Sequence, residues 1–158
     1  MKSLLRPFAW LATVAVGVSS ALAQVAPNAP RDQPYAVADQ QLAQLEKAMA
    51  PYIASARQTY PAARSKFLAG LPPGEHFFVV ARIHASSGRW EQVFIRVQKI
   101  QEGVITGIIS SDVTLVTEYK PGQTYTLKES ELIDWLISKR DGTEEGNVVG
   151  KFMDTYRP

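Results

Sequence analysis

The sequence predicts an α+β fold in which N-terminal helices pack on a strongly curved antiparallel sheet of five or six short strands. Two observations predict it. Apolar residues recur every three or four positions before residue 70, and at every second position after residue 75. Turn-forming glycines and prolines then divide the second part into short segments. Helices followed by a run of strands are typical of the α+β class.

The first 23 residues have the order of a secretory signal. Lys2 and Arg6 come first, an apolar run follows from residue 8 to 18, and Ala21-Leu22-Ala23 ends it. That run is shorter than the roughly 20 residues of a membrane-spanning helix. We therefore expect cleavage after Ala23, no membrane anchor after cleavage, and a periplasmic location, with secretion as the second choice.

Charge and composition exclude several classes of function. Cleavage would remove two basic residues and no acidic one, which leaves 15 of the 17 basic residues against 15 acidic ones. Because nucleic-acid proteins normally carry a clustered basic face, we expect no nucleic-acid partner. The chain has no cysteine, which excludes disulfides, thiolate catalysis, cysteine metal sites and lipoprotein anchoring.

Residues 24–37 contain Pro27, Pro30 and Pro34 and no apolar periodicity. This composition predicts a Pro-rich disordered leader, and the alternative is a Pro-rich ligand motif. Residues 38–158 are then expected to form a single α+β domain.

The helical part begins at Asp39, a plausible N-cap residue. An apolar stripe follows, formed by Leu42, Leu45, Met49, Ile53, Ala56 and Tyr60. Pro51 interrupts it and predicts a kink, or a break into helices 39–50 and 51–60. Pro61 predicts the start of a second short helix that ends before Gly70 and buries Phe67 and Leu68.

Alternating patterns predict the strands. The expected segments are 76–84, 90–100 and 104–110, a weaker strand at 114–118, brief pairing at 125–128, a strand within 131–138, and a last element at 148–153.

Motifs for a cofactor or a metal ion are missing. His76 and His84 share one face of a predicted strand, about 26 Å apart at about 3.3 Å per residue, too far to share an ion. The glycines near residue 146 do not have the spacing of a phosphate loop, and there is no Gly-x-Ser-x-Gly sequence. We expect no cofactor and no metal site.

Asp134 is the most informative polar residue. It lies between Ile133 and Trp135 on a predicted strand, so its side chain points away from theirs. If that face is covered, the carboxylate needs hydrogen-bond donors, because a buried unpaired charge is very costly. The alternatives are an exposed strand face, a structural acceptor of backbone hydrogen bonds, or a functional base.

Several short motifs resemble the YegJ-like bacterial family, domain of unknown function 2314, from Ala54 to the C-terminus. Ile133-Asp134-Trp135 and Pro121-Gly122-Gln123 match the family. Glu91-Gln92-Val93-Phe94 stands at the family's Glu-His-x-Trp, Gly107 begins its Gly-x-x-Asn-x-Pro, and residues 146–151 stand at its closing Gly-x-x-Thr-x-Arg, with Lys151 for Arg.

The resemblance implies the fold and a bacterial origin, and no reaction. The candidate binding residues are Glu91, Gln92, Asp134, Trp135 and Lys151. With no catalytic motif, we expect a non-catalytic envelope module that binds a protein, a peptide or a small ligand; its oligomeric state is left open. The alternative is a hydrolase-type enzyme that uses Glu91 or Asp134 as general base, which requires a pocket holding both.

The signal sequence makes a first prediction. Intact-mass measurement of the exported protein should give a chain that starts at Gln24. A full-length product that stays in the cytosol would contradict the predicted export.

Overall fold

One long helix, α1 (Asp39–Ala69), begins the part of the chain that the computed structural model describes, residues 39–157. The predicted signal and Pro-rich leader lie outside these residues. The apolar stripe is confirmed, since Leu45, Met49, Ala56 and Tyr60 are buried. No helix between residues 39 and 157 is long and apolar enough to cross a bilayer.

The predicted break at Pro51 and the separate helix from Pro61 are wrong, because both prolines lie inside α1. Each proline lacks one N–H donor and faces solvent. Buried contacts on both sides of each proline, from Met49 to Ala63, hold the turns in one helix. Of the two residues expected to be buried near its end, Phe67 packs on the core and Leu68 is exposed.

Six strands form an open antiparallel sheet, which confirms the α+β class. They are β1 (His76–His84), β2 (Trp90–Gln101), β3 (Val104–Ile109), β4 (Thr124–Lys128), β5 (Asp134–Ser138) and β6 (Glu144–Gly146). Their order is β4-β3-β2-β1-β5-β6. The chain therefore builds one side of the sheet as a meander and returns β5 to the free side of β1.

The last element is α2 (Val148–Thr155), a helix where the sequence left the type of element open. The weak strand expected at 114–118 is wrong, because this segment is a loop. Three successive N–H groups of the loop, from Thr114 to Val116, turn toward one carboxylate, that of Glu91. A strand cannot do this, since its successive N–H groups point in opposite directions.

Different parts of the helices pack on the two faces of the sheet. The core face carries Phe77, Val79, Ile95 and Trp135, which pack with the second half of α1 at Ala56, Tyr60 and Ala63. The second face carries Val80 and Phe94, which pack with Leu45 and Met49 from the first half of α1 and with α2.

Helix α1 contacts both faces because it crosses the sheet at the start of β5. There the Arg57 Nε donates to the Leu132 carbonyl at 2.9 Å, and the Trp135 indole donates to the Ala56 carbonyl at 3.0 Å. On either side of this crossing, ion pairs join Arg64 to Glu129 and Glu46 to Arg82. The beginning of β5 is thus the point where helix and sheet are joined.

We predict that Pro61→Ala stabilises the domain. The substitution restores an N–H donor for the Arg57 carbonyl, and the exposed site leaves room for alanine. The gain in unfolding free energy should be about 1–3 kcal/mol, after the loss of proline's restraint on the unfolded chain. Denaturant melts measure it. Pro121→Ala, in a turn, is the control and should give no gain; an unchanged Pro61→Ala midpoint would contradict the prediction.

Candidate functional site

Asp134 and Trp135 begin β5, and their side chains enter opposite faces of the sheet, as the alternation predicts. Trp135 lies on the core face and is 5% exposed. Its indole N–H is shared between the Ala56 carbonyl and the Thr59 hydroxyl, at 3.0 and 3.1 Å. Trp135 therefore fixes α1 to the sheet through both its ring and its N–H group.

The Asp134 carboxylate is fully buried and accepts three backbone hydrogen bonds. Oδ1 accepts from the Trp135 N–H at 2.8 Å, and Oδ2 accepts from the N–H groups of Val149 and Gly150 at 2.7 and 3.4 Å. The last two belong to the first turn of α2, where N–H groups have no partner within the helix. Asp134 thus caps α2 from a strand 15 residues earlier in the chain.

The residue before α2 does not cap the helix, so a residue distant in the sequence does. Asn147, the residue before α2, has a left-handed φ of 56°, and its side chain makes no cap hydrogen bond. The Asn147 amide nitrogen instead donates to Glu144. The carboxylate of Asp134 takes over the role that an N-cap side chain normally has.

Burial raises the pKa of the Asp134 carboxyl above its ordinary value, and the backbone N–H groups of Trp135, Val149 and Gly150 oppose the rise. The increase follows from the cost of placing a charge away from water. All donors around the carboxylate are backbone groups of the fold itself. Asp134 therefore has neither a reacting partner nor solvent contact among the described residues.

The Glu91 carboxylate also accepts hydrogen bonds from backbone N–H groups. Its carboxylate accepts from the N–H groups of Thr114, Leu115 and Val116 at 3.1, 2.8 and 3.3 Å, and from the Thr114 hydroxyl at 3.0 Å. This holds the loop after β3 so that Val116 enters the core, fully buried.

Glu91 and Asp134 do not share a pocket. Glu91 pairs with Ile83, which belongs to the core face, whereas Asp134 pairs with Val80 on the second face. The sheet separates the two carboxylates. The geometry that the general-base alternative requires is therefore not present among the described residues.

The other two candidates lie apart as well. The Lys151 ammonium donates to the Gly146 carbonyl at 2.8 Å and lies 3.5 Å from the Glu144 carboxylate. Gln92 is half-buried on the second face, opposite Arg82. Of the five candidate residues, Asp134, Trp135 and Lys151 thus surround the junction of β5, β6 and α2, while Glu91 and Gln92 do not.

Two glycines of the motifs that resemble the family, Gly107 and Gly146, are required for steric reasons. A Cβ atom at Gly146 would meet the Trp135 carbonyl oxygen and would lie 2.8 Å from the indole ring. A Cβ atom at Gly107 would meet the Arg96 carbonyl oxygen and would lie 2.7 Å from an Ile95 methyl group. Since neither backbone can move away, these positions require glycine.

A family model described as "Uncharacterized protein conserved in bacteria (DUF2314)" matches residues 46–156. The chain belongs to this family. The "Uncharacterized protein YegJ" of Escherichia coli (strain K12) is 27% identical over 79 residues, which cover 50% of this chain and 52% of that protein. The chain thus spans about half the length of this curated relative. No solved structure matches.

A surface that the sequence analysis missed lies on the second face. Cross-strand pairing puts Arg96, Ile108 and Thr124 in one row, and Lys99, Thr106 and Thr126 in the next. A third row contains Gln101, Val104 and Lys128. We call these nine residues the outer patch. Arg96 and Lys99 share a face because a register shift between Val97 and Lys99 adds one residue to β2, which a strict period of two does not reveal.

We predict that Trp135→Ala destabilises the domain by about 3–5 kcal/mol, since it removes a buried indole and its hydrogen bonds. Asp134→Asn should cost about 1–3 kcal/mol, because one acceptor oxygen becomes a misplaced donor. Denaturant melts measure both, with the exposed change Thr117→Ala as control. An Asp134→Asn protein of unchanged stability that had lost a binding partner would make Asp134 a functional residue.

A pH series tests the electrostatics of Asp134. Its folded-state pKa is raised, so the folded chain holds the proton more tightly than the unfolded chain. The stability that Asp134 contributes is therefore complete below its unfolded pKa of about 3.9 and falls as the pH rises through the folded value. The difference in unfolding free energy between wild type and Asp134→Asn should shrink from about pH 3 toward neutrality. A difference that grows with pH would mean that the helix cap outweighs burial.

Proposed function

We propose that this protein is a non-catalytic module of the bacterial envelope that binds an extended segment of another protein by adding a strand to the sheet. The observation that carries the proposal is the outer edge of β4, which pairs with no other strand among residues 39–157. Strand addition uses main-chain hydrogen bonds for affinity and alternate side chains for specificity.

The hydrogen-bond register between β3 and β4 determines which backbone groups of β4 point away from β3. The Ile109 N–H donates to the Gln123 carbonyl at 2.9 Å, and the Glu129 N–H donates to the Gly103 carbonyl at 2.8 Å. Because antiparallel ladders alternate, Tyr125 and Leu127 bond to β3, and Thr124, Thr126 and Lys128 direct their backbone groups outward.

One end of this edge is already closed. The Lys128 N–H donates to the Glu131 carboxylate at 2.9 Å. A bound strand would therefore pair chiefly with Thr124 and Thr126, both exposed. The opposite edge strand, β6, has only three residues and leads directly into α2, so β4 offers the longer free edge.

The occupied carboxylates favour binding over catalysis. A general base must reach a proton of the substrate, whereas Glu91 and Asp134 accept hydrogen bonds from the backbone on opposite faces. The envelope location rests on the secretory signal in the sequence.

Thr126→Pro tests the edge. The substitution removes the outward N–H of β4 and leaves the bonds between β3 and β4, because those belong to Tyr125 and Leu127. Affinity capture from envelope extracts should recover a partner with the wild-type mature chain and not with Thr126→Pro, while the melting temperature changes by only a few degrees.

Thr126→Val is the matched control. It keeps the N–H donor and suits an exposed strand position, so capture should persist. Equal capture by Thr126→Pro and the wild type would disprove strand addition at β4.

A further inference from the structure

Thr124 and Thr126 carry the outward backbone groups of β4 that pair with no other strand among residues 39–157. At the end of the strand, the Lys128 N–H already donates to the Glu131 carboxylate. Natural proteins commonly protect such an edge with a proline, a bulge or a charged side chain. The segment from Thr124 to Thr126 contains none of these, and threonine and tyrosine favour strands. This short stretch is therefore open to another strand.

Two tyrosines lie at the same edge on the core face. The rings of Tyr119 and Tyr125 are 5.5 Å apart in an edge-to-face arrangement. Both pack against the core and are only half-buried. Tyrosine is enriched at protein interfaces, because its ring can be buried while its hydroxyl remains in contact with water. The free edge thus combines unpaired backbone groups with an adjacent aromatic surface.

The positions of the free groups decide how this edge can pair with the same edge of a second copy. Two residues that exchange both hydrogen bonds in an antiparallel pair must each have outward groups. With Lys128 closed, one register uses all the free groups: Thr124 lies opposite Thr126 of the second copy, and Thr126 lies opposite its Thr124. The Tyr125 residues of the two copies then lie directly opposite each other.

We infer that the β4 edges of two copies of this chain pair in an antiparallel dimer whose twofold axis passes through Tyr125. The two six-stranded sheets become one continuous sheet. On the core face the two Tyr125 rings pack together beside Tyr119, and on the second face threonine lies opposite threonine. A twofold axis requires a surface that is complementary to itself, and it is the commonest symmetry of soluble oligomers.

The cations of the outer patch do not oppose this pairing. Lys128 lies opposite Gly122 of the second copy, which leaves the two Lys128 residues about 20 Å apart along the strands at about 3.3 Å per residue. Arg96 and Lys99 belong to β2, two strands farther from the axis. Since screening at physiological salt acts over about 8 Å, like charges of the two copies repel each other only weakly.

The dimer uses the same backbone groups as the strand addition proposed above, so the two states exclude each other. The dimer itself depends on the free edge and not on the existence of a partner. Its competition with a partner rests on the proposed function. Because a five-residue strand offers a small interface, we expect a weak dimer, with a dissociation constant between about 1 µM and about 1 mM.

Sedimentation velocity of the mature chain at increasing concentration tests the dimer. The wild type and Thr126→Val should sediment as a reversible mixture of monomer and dimer. Thr126→Pro lacks the outward N–H and should remain monomeric, with an unchanged circular dichroism spectrum. A wild type that stays monomeric up to about 1 mM, or a Thr126→Pro protein that dimerises as well as the wild type, would overturn the inference.

Single cysteines test the register, because the chain contains no cysteine. The two Tyr125 Cα atoms should be about 4.5 Å apart, within the range that a disulfide spans. Under mild oxidation Tyr125→Cys should form a covalent dimer faster than the exposed control Thr117→Cys.

Two further variants keep the tyrosine. Thr124→Cys and Thr126→Cys should each cross-link poorly alone, because neither residue lies opposite itself, and an equimolar mixture of the two should cross-link as a heterodimer. Rapid cross-linking of Thr126→Cys alone would place the axis at Thr126 and overturn the register.

Affinity capture from envelope extracts separates the dimer from the proposed partner. The oxidised Tyr125→Cys dimer should capture less partner than the same protein after reduction, and equal capture would overturn the exclusion of the two states. If the wild type dimerises but Thr126→Pro captures the same proteins as the wild type, the dimer stands and strand addition by a partner is disproved. If the wild type stays monomeric but captures a partner that Thr126→Pro loses, strand addition stands and the dimer is overturned.

Discussion

The buried carboxylate of Asp134 is the interaction on which the arrangement of the whole C-terminal part depends. A charge removed from water is stable only when donors surround it, and here the donors are the N–H groups of β5 and of the first turn of α2. These donors offset part of the cost of burying the carboxylate, and the carboxylate in turn accepts hydrogen bonds from the otherwise unpaired start of α2. Because its neighbour Trp135 fixes α1 through the indole, two adjacent residues position both helices against one strand.

Polar residues that look functional in the sequence have architectural roles in this domain. The Glu91 carboxylate accepts hydrogen bonds from the loop after β3, and Gly146 allows the backbone to approach the Trp135 ring. A buried carboxylate and a close backbone contact each tolerate few substitutions. The motifs that mark membership of the DUF2314 family thus include positions that maintain the fold.

The proposed binding edge lies in a different part of the sheet. The side of β1 and β5 is covered by helices on both faces, whereas the helical cover of the second face reaches Phe94 of β2 and includes no residue of β3 or β4. The strand addition proposed for β4 would extend the sheet on the side that no described helix covers. The helices thus cover the part of the sheet around β1 and β5 and leave the edge of β4 as the proposed binding site.

The sequence determined the local elements that depend on nearby residues. The bounds of β1, the start of β3, the apolar stripe of α1 and the opposite directions of Asp134 and Trp135 follow from side-chain periodicity and from turn-forming residues. Family membership was also visible from short motifs.

Tertiary contacts decided the rest. Packing on both sides of Pro51 and Pro61 kept one helix where local propensity predicts several, and the carboxylate of Glu91 held residues 114–116 as a loop. The register shift in β2 brought Arg96 and Lys99 to one face, and the return of β5 to β1 left β4 as the free edge. These features depend on contacts between residues far apart in the chain. A periodic pattern indicates which side chains of one helix or strand lie on the same face, but it does not determine which other strand pairs with it.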